Sequence, residues 1–209
     1  MSQGYDQPVS AIVFCPQNKP PTTAYLGKLR QYMRSNPILE PFVQSILDLL
    51  EIWQIYAKTN SGIAALDQGP RYVQHLQNWI INGEAAPLAE IMSGIITLPI
   101  LTIIQITQYF QYLEVRLISH AKFLEEIRIG GAQGFCGGLL PAAAIAASRD
   151  EQEVVRNAII SLRLALGIGA YGELGDEPDV LGPTTVVLRL KYAGQADEIV
   201  AKFPGVSFL

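Results

Sequence analysis

The sequence predicts an α/β fold with a short parallel sheet. Short apolar runs bounded by turn residues, such as residues 9–14, alternate with long stretches whose apolar residues recur at the helical period. Short runs of this kind are typical of strands that are buried on both faces in a parallel sheet. Long helices between such strands indicate alternating layers of helix and sheet.

The composition limits the class of protein. The chain has 209 residues, which is enough for one medium-sized domain with an ample core. Hydrophobic residues make up 49% and charged residues only 16%, so the chain is more apolar than an average soluble domain. It therefore either buries an unusually large part of its surface or lacks a natural partner surface. The net charge of -4 argues against nucleic-acid binding, which requires a basic patch.

The first part of the chain predicts one strand and three amphipathic helices. The predicted elements are a strand over residues 9–14, a helix from Thr22 or Thr23 to Arg34, and helices over residues 38–58 and 71–81. Cys15-Pro16 begins the loop after the strand. Each helix ends at a turn signal: Asn36-Pro37, residues 60–62 and Asn82-Gly83.

A long helix is predicted over residues 97–120, and Thr97-Leu98-Pro99 has the cap and first turn of a helix start. Residues 91–113 carry no charge, which on length alone would suggest a membrane span. However, Pro99 interrupts this stretch. Polar side chains also recur along it every three residues, at Gln105, Gln108 and Gln111. A polar stripe is unfavourable in hydrocarbon but can be hydrogen-bonded in a core, so we expect a core helix and no membrane span.

One cysteine lies between closely spaced glycines in the string GGAQGFCGGLLPAAA, residues 130–144. In a G-x-nucleophile-x-G elbow, a strand turns sharply into a helix and the nucleophile occupies a strained conformation at the tip. Gly134 and Gly138 then leave room where a β-carbon would collide with the neighbouring strand or helix. The following helix, over residues 138–147, directs its positive end at Cys136 and favours the thiolate. The same pattern is compatible with a buried cysteine in a glycine-rich turn.

The remaining elements surround this turn. A charged connector over residues 122–128 precedes it, and Ser148-Arg149-Asp150 caps a further helix that reaches about Gly169. Residues 172–183 are acidic and rich in turn-forming residues, which is typical of a surface linker. Beyond the linker we predict a strand with one solvated face over residues 184–192, a short helix over residues 194–203 and the start of a strand over residues 206–209.

The two cysteines, Cys15 and Cys136, do not make a disulfide framework, and the polar N-terminus lacks the layout of a signal peptide. We therefore expect a reducing, cytoplasmic location. Metal-ligand spacing, a Walker loop and a dinucleotide fingerprint are all missing from the sequence. No metal and no permanently bound cofactor are expected.

The string GAQGFCGGLLPAAAIAAS, residues 131–148, resembles the nucleophile elbow of the starter-unit acyltransferase domains of fungal non-reducing polyketide synthases. Those domains read G-x-C-x-G followed by a helix start rich in Leu, Pro and Ala, and the resemblance extends over essentially the whole chain. It implies a malonyl-transacylase-like core of α/β-hydrolase type over residues 1–182. It also implies the first half of a ferredoxin-like subdomain over residues 183–209, and hence an incomplete domain.

The resemblance further implies acyl transfer through a thioester on Cys136. The starter group would pass from acyl-CoA or a fatty-acyl donor to the phosphopantetheine of an acyl carrier protein, among other polyketide synthase domains. A thiol suits this exchange, because one thioester replaces another and the step is nearly isoenergetic. The implied oxyanion donors are the backbone N–H of Gly137 and Gln17, in the loop after the first strand.

The same resemblance leads to expectations about the catalytic base and the acyl group. The catalytic histidine of the family follows the ferredoxin-like insertion, where this chain has no residues, so we expect very weak transfer activity or none. His75 is predicted at the surface or core edge, and His120 as a C-terminal cap of the long helix. Malonyl-type relatives hold a carboxylate with an arginine. Arg163 is offset from that position and is expected to face solvent, which implies a neutral acyl group.

Two other functions remain compatible with the sequence. The first is a cysteine hydrolase of α/β-hydrolase type, which would pass the acyl group to water as a thioesterase does. The second is a non-catalytic remnant that only docks a carrier protein or a synthase partner. The transferase and the hydrolase would both acylate Cys136, but only the transferase would pass the group to a carrier.

Overall fold

A computed structural model of the chain describes residues 10–15, 21–84 and 93–174, together with residues 198, 201 and 202, which are helical. The chain divides into two compact units, Met1–Gly175 and Asp176–Leu209, and the following description concerns the first. The strands predicted over residues 184–192 and 206–209 lie outside the described residues, as does Gln17.

The first unit is mostly helical and contains a two-stranded parallel sheet. The strands are β1 (Ile12–Phe14) and β2 (Ala132–Gly134). The helices are α1 (Thr23–Ser35), α2 (Glu40–Leu47), α3 (Leu49–Thr59), α4 (Ser61–Ala64), α5 (Gly69–Asn82), α6 (Gly94–Arg116), α7 (His120–Glu126), α8 (Leu139–Ala146) and α9 (Glu151–Leu174). Turns of 3₁₀ helix at Pro37–Leu39 and Cys136–Gly138 precede α2 and α8.

The predicted parallel sheet is confirmed. Ile12 pairs with Ala132 and Phe14 with Gly134. The pairing continues past β2, because the N–H of Phe135 donates to the carbonyl of Phe14 over 2.9 Å. Two elements that are far apart in the sequence are thus fixed side by side just before Cys136. Each strand has three residues, so within the described part of the chain the helices supply most of the fold.

The core is organised around α6 and α9. Most of α6 is buried, and α9 crosses its N-terminal end where Gly94 and Gly169 meet, since a β-carbon on Gly169 would overlap the carbonyl of Gly94. Glu173 fixes the same crossing: its carboxylate accepts hydrogen bonds from the N–H of Gly94 over 2.6 Å and from the hydroxyl of Ser93 over 2.9 Å. A carboxylate at a helix N-terminus is favoured by the dipole of that helix.

Two of the differences from the predicted helix boundaries have a clear cause in the structure. The helix predicted over residues 38–58 is broken at Asp48 into α2 and α3. Next to the break, Gln77 of α5 donates to the carbonyl of Leu47 over 2.6 Å. The long helix begins at Gly94 instead of Thr97, because the hydroxyl of Ser93 caps the N–H of Ile95. Pro99 consequently lies inside α6, where it lacks the N–H of an ordinary helical residue.

The apolar helices belong to the core. The uncharged segment predicted to be a core helix forms most of α6, in agreement with the prediction. Among the described helices, α9 has the length and apolar composition of a membrane span, but more than half of its apolar stretch is buried inside the protein. A core helix passes the same test, so this property is weak evidence for a span.

Candidate active site

Cys136 lies at a sharp corner between β2 and α8. Phe135 is still extended, with φ -114° and ψ 128°, and the 3₁₀ turn Cys136–Gly138 leads directly into α8. Cys136 itself has φ +54°, in the left-handed region that is unfavourable by about 1–2 kcal/mol for a residue with a β-carbon. A non-glycine residue held in this conformation is a feature of functional turns, where the surrounding structure imposes it.

The neighbouring glycines have no room for a side chain. A β-carbon on Gly138 would overlap the carbonyl oxygen of Phe14 in β1, and one on Gly134 would overlap the backbone of Leu139 at the start of α8. The turn therefore touches the neighbouring strand β1 through Gly138, and the last residue of β2, Gly134, touches the start of α8. Any larger residue at either position would push these elements apart and move Cys136.

Gly137 packs against the first turns of α6. A β-carbon there would lie 2.8 Å from a methyl carbon of Leu101 and 3.0 Å from one of Leu98. Gly137 belongs to the short turn that opens into α8, and the first N–H groups of a helix have no partner within that helix. Its N–H is therefore among the groups that could donate to a developing oxyanion beside the thiol.

The thiol of Cys136 is accessible. Cys136 is exposed, and its apolar neighbours Phe135 and Leu139 are 58% and 60% exposed. Within the described residues, no side chain hydrogen-bonds the thiol. An exposed thiol between two exposed apolar side chains is suited to a ligand that has an electrophilic centre and an apolar part.

Cys15, the second exposed cysteine, follows β1. Its carbonyl accepts a hydrogen bond of 2.7 Å from the side-chain amide of Gln105 on α6. Sequence reasoning placed Gln105 in a polar stripe and missed this specific contact. The available signal was a polar residue within the apolar run of residues 99–107. Gln108 is exposed and Gln105 is buried, so the predicted stripe does not form one face.

The prediction for His120 was wrong. His120 does not end the long helix, because α6 stops at Arg116, where Leu117 adopts the left-handed conformation, and His120 is the first residue of α7. Its side chain is fully buried. Nε2 lies 2.9 Å from the carbonyl of Ser148, which can only accept, so Nε2 carries the proton and Nδ1 accepts from the hydroxyl of Tyr109. Both ring nitrogens are thus engaged inside the protein.

The connector predicted over residues 122–128 is largely the helix α7, which Ser119 caps through the N–H of Lys122. Two residues lie as predicted: His75 is half-buried on α5, and Arg163 is exposed on α9. The side chains that the structure describes include no cluster of three or more His, Cys, Asp or Glu residues that could hold a metal.

A cysteine at a strained corner between a strand and a helix, with glycines packed against β1 and α8, has the geometry of a nucleophile elbow of the type used for acyl transfer. The chain matches the family described as "Starter unit:ACP transacylase in aflatoxin biosynthesis" over residues 19–179. This match includes the whole elbow. The chain therefore belongs to the starter unit:ACP transacylase family, a family of acyltransferases that functions in polyketide biosynthesis.

Curated relatives agree with this membership. The chain is 50% identical over 205 residues, 98% of its length, to the non-reducing polyketide synthase atr1 of Stereocaulon alpinum. It is 65% identical over 146 residues, 67% of its length, to the non-reducing polyketide synthase pks12 of Talaromyces marneffei, and 37% identical over 200 residues, 95% of its length, to Preu6 of Preussia isomera. The chain spans only 8–9% of the length of these relatives.

Proposed function

We propose that the chain carries the acyl-accepting site of starter-unit transfer, in which Cys136 receives an acyl group from a donor thioester and passes it to the phosphopantetheine of an acyl carrier protein. The observation that supports this most strongly is the exposed thiol at φ +54° on a turn with no room for a β-carbon at Gly134 or Gly138. The surrounding structure holds the strained conformation and presents the sulfur to solvent.

The chemistry requires only thioester exchange. The thiolate of Cys136 attacks the acyl carbonyl, a carbon–sulfur bond forms, and the resulting oxyanion is stabilised by the N–H of Gly137. The coenzyme A thiolate then leaves and takes a proton. In the second half, the carrier thiol attacks the Cys136 thioester in the same way and the cysteine is regenerated. We propose that Gln17, three residues after the end of β1 in the sequence, supplies the second oxyanion donor.

The described site does not supply a general base to take the proton of the Cys136 thiol. The chain has two histidines, and His120 is enclosed with both ring nitrogens hydrogen-bonded. We therefore propose that a group outside the described residues acts as the base. The chain by itself should transfer acyl groups slowly.

The acyl group should be neutral. Arg163 is exposed on α9, and its offset in the sequence from the position that binds the free carboxylate in malonyl-type relatives argues against a malonyl group. The exposed apolar neighbours of the thiol, Phe135 and Leu139, also favour an acetyl, hexanoyl or longer chain over a malonyl group. The partners would be an acyl carrier protein and the other domains of a polyketide synthase. We place the protein in the cytoplasm without a permanently bound cofactor.

The test is transfer between two proteins. The chain is incubated with hexanoyl-CoA and a phosphopantetheine-loaded carrier protein, and both proteins are weighed by intact-mass spectrometry. We expect a hexanoyl adduct on the chain and on the carrier, and neither adduct above the uncatalysed background with the Cys136→Ala variant. Malonyl-CoA in place of hexanoyl-CoA should give less adduct.

The same experiment separates the alternatives. An adduct on the chain with release of hexanoic acid and an unloaded carrier would identify a hydrolase. A chain that never acquires an adduct would be a docking remnant. Either result would contradict the proposed transfer.

A further inference from the structure

The two exposed cysteines follow the two paired strands at the same end of the sheet. Cys15 comes directly after β1, and Cys136 lies two residues after the end of β2. Both thiols are free and exposed. The proposed acyl transfer uses the thiol of Cys136 alone, so Cys15 is a second accessible nucleophile that this mechanism does not use.

The strand register places the backbones of the two cysteines close together. Phe14, the residue before Cys15, pairs with Gly134. The pairing continues, since the N–H of Phe135 donates to the carbonyl of Phe14, so Cys15 lies opposite Phe135, the neighbour of Cys136. Adjacent strands are about 4.8 Å apart and rise about 3.3 Å per residue, which gives about 6 Å between the α-carbons of the two cysteines. Disulfides join α-carbons that are about 4.4–6.8 Å apart.

The left-handed conformation of Cys136 turns its side chain toward the face of the sheet that carries Cys15. Side chains alternate between the two faces of a strand, and Val13 and Cys15 are exposed whereas Phe14 is buried. Phe135 is exposed as well, so an extended Cys136 would point to the buried face. Its φ of +54°, compared with about -120° in a parallel strand, rotates the β-carbon by roughly half a turn about the N–Cα bond. Both thiols therefore lie on the exposed face.

Contacts with the rest of the fold hold the two cysteines in this arrangement. The carbonyl of Cys15 accepts a hydrogen bond of 2.7 Å from the side-chain amide of Gln105 on α6, which fixes the end of β1. A β-carbon on Gly138 would lie 3.1 Å from the backbone nitrogen of Cys15, so the turn that contains Cys136 packs directly against the residue with the second thiol. Rotation of the two side chains then brings the sulfur atoms together without movement of the backbone.

We infer that Cys15 and Cys136 form a reversible disulfide when the protein encounters a peroxide, so that this pair of thiols is an oxidation site. The peroxide transfers one oxygen to a thiolate, which becomes a sulfenic acid while hydroxide leaves. The second thiol attacks the sulfenic sulfur, a sulfur–sulfur bond forms, and water is released. In a reducing compartment, disulfides are typically transient or redox-sensing. The consequence rests on the proposed function: the disulfide withdraws the acyl-accepting thiol until a reductant restores it.

The test is the state of both thiols after exposure to hydrogen peroxide. The dilute parent chain is treated with hydrogen peroxide under conditions that fully oxidise free glutathione, and is then denatured, alkylated with iodoacetamide and weighed by intact-mass spectrometry. We expect a mass lower than that of the reduced chain by two hydrogens, no alkylated cysteine, and a peptide map in which the Cys15 and Cys136 peptides are linked. Dithiothreitol should restore two alkylated cysteines.

The matched control moves the second thiol along β1. The double variant Cys15→Ala, Val13→Cys keeps two cysteines on the same exposed face, because Val13 is 56% exposed. By the same strand geometry, the α-carbons of residues 13 and 136 are about 11 Å apart, which is too far for a disulfide. We expect no linked peptide in this variant and oxidation of Cys136 to the sulfinic acid.

Two free thiols, a sulfinic acid or a disulfide between two copies in the parent chain would each overturn the inference, as would an equally abundant linked peptide in the control. The measurement on the parent chain needs no variant, so it decides the matter even if the double variant does not fold. The oxidised chain should also take up no hexanoyl group from hexanoyl-CoA until dithiothreitol is added. If the disulfide forms but the reduced chain takes up no hexanoyl group, the proposed function fails and the oxidation site stands.

Discussion

At Cys136 the backbone conformation and the side chain have opposing requirements. The thiol needs a β-carbon, whereas φ +54° favours a residue without one. The chain keeps the cysteine in this conformation by fitting the flanking glycines against β1 and α8. Backbone strain of this kind is expected where the exact position of a side chain matters more than the stability of the protein.

This conflict gives the first prediction. Cys136→Gly should be more stable than Cys136→Ala by up to about 1 kcal/mol, because glycine relieves the left-handed strain while alanine keeps it. Urea denaturation of both variants measures the difference. If alanine were the more stable replacement, the turn would not be strained at Cys136.

The space at Gly138 gives the second prediction. Gly138→Ala should destabilise the chain by about 1–3 kcal/mol, since the new methyl group would overlap the carbonyl of Phe14 and force a backbone shift. Gly138 has φ -70°, so an alanine there meets no conformational penalty and the effect isolates the lack of room. The free energy of unfolding is again measured in urea.

The matched control is Gly27→Ala in α1. A β-carbon there would have no heavy atom within 4 Å, and alanine in a helix interior is favoured over glycine by about 0.5–1 kcal/mol. This variant should be slightly more stable than the parent chain. A similar response at both positions would contradict the packing proposed for the elbow.

At the scale of single elements, the start of α9 is held by charge. Asp150 caps the helix by accepting the N–H of Glu153 over 2.8 Å, and Glu153 pairs with Arg149. Hydrogen bonds from the side chain and the backbone N–H of Arg149 lower the pKa of Glu153 from 4.5 to about 2. Because α9 forms the core with α6, this cap anchors one of the two central helices.

The lowered pKa predicts a pH dependence. A carboxyl whose pKa is lower in the folded state adds stability above its unfolded pKa, and this contribution disappears as the pH falls from about 4.5 to about 2. Arg149→Gln should therefore reduce stability at pH 7 and have progressively less effect below pH 4.5. Urea denaturation at a series of pH values measures this effect, and Arg163→Gln, which changes an exposed arginine within α9, is the control. If the stability difference between Arg149→Gln and the parent chain stayed constant down to pH 2, the Arg149–Glu153 pair would be ruled out as the cause of that difference.

Short sequence patterns predicted which helices and strands form better than they predicted where those elements begin and end. The elbow was predictable because its determinants, two glycines and a cysteine at fixed spacing, are adjacent in the sequence. The break at Asp48 was not, because the amide that binds the Leu47 carbonyl comes from Gln77 on another helix. The early start of α6 was missed because Ser93 competes with Thr97 as a cap, and Glu173, far along the chain, supports Ser93.

For the whole molecule, the α6–α9 core explains only part of the high apolar content, because α6 is mostly buried whereas α9 also exposes Ile160, Leu164, Ile168 and Tyr171. The geometry of the turn around Cys136 and its glycines was predictable from the sequence. The roles of His120 and Gln105 were not, because a histidine and a glutamine have the same sequence signature whether they cap, fill a core or face a ligand. Their partners, Tyr109, Ser148 and Cys15, are set by tertiary packing.

The central claim is that Cys136, and no other residue, is the acyl acceptor. Both Cys136 and Cys15 are exposed, so the most direct measurement is the mass of the chain after incubation with excess hexanoyl-CoA, followed by peptide mapping, in the parent chain, Cys15→Ala and Cys136→Ala. We predict one hexanoyl group mapped to Cys136, retained in Cys15→Ala and lost in Cys136→Ala. A group found on Cys15 instead, or a parent chain that stays unmodified, would contradict the account.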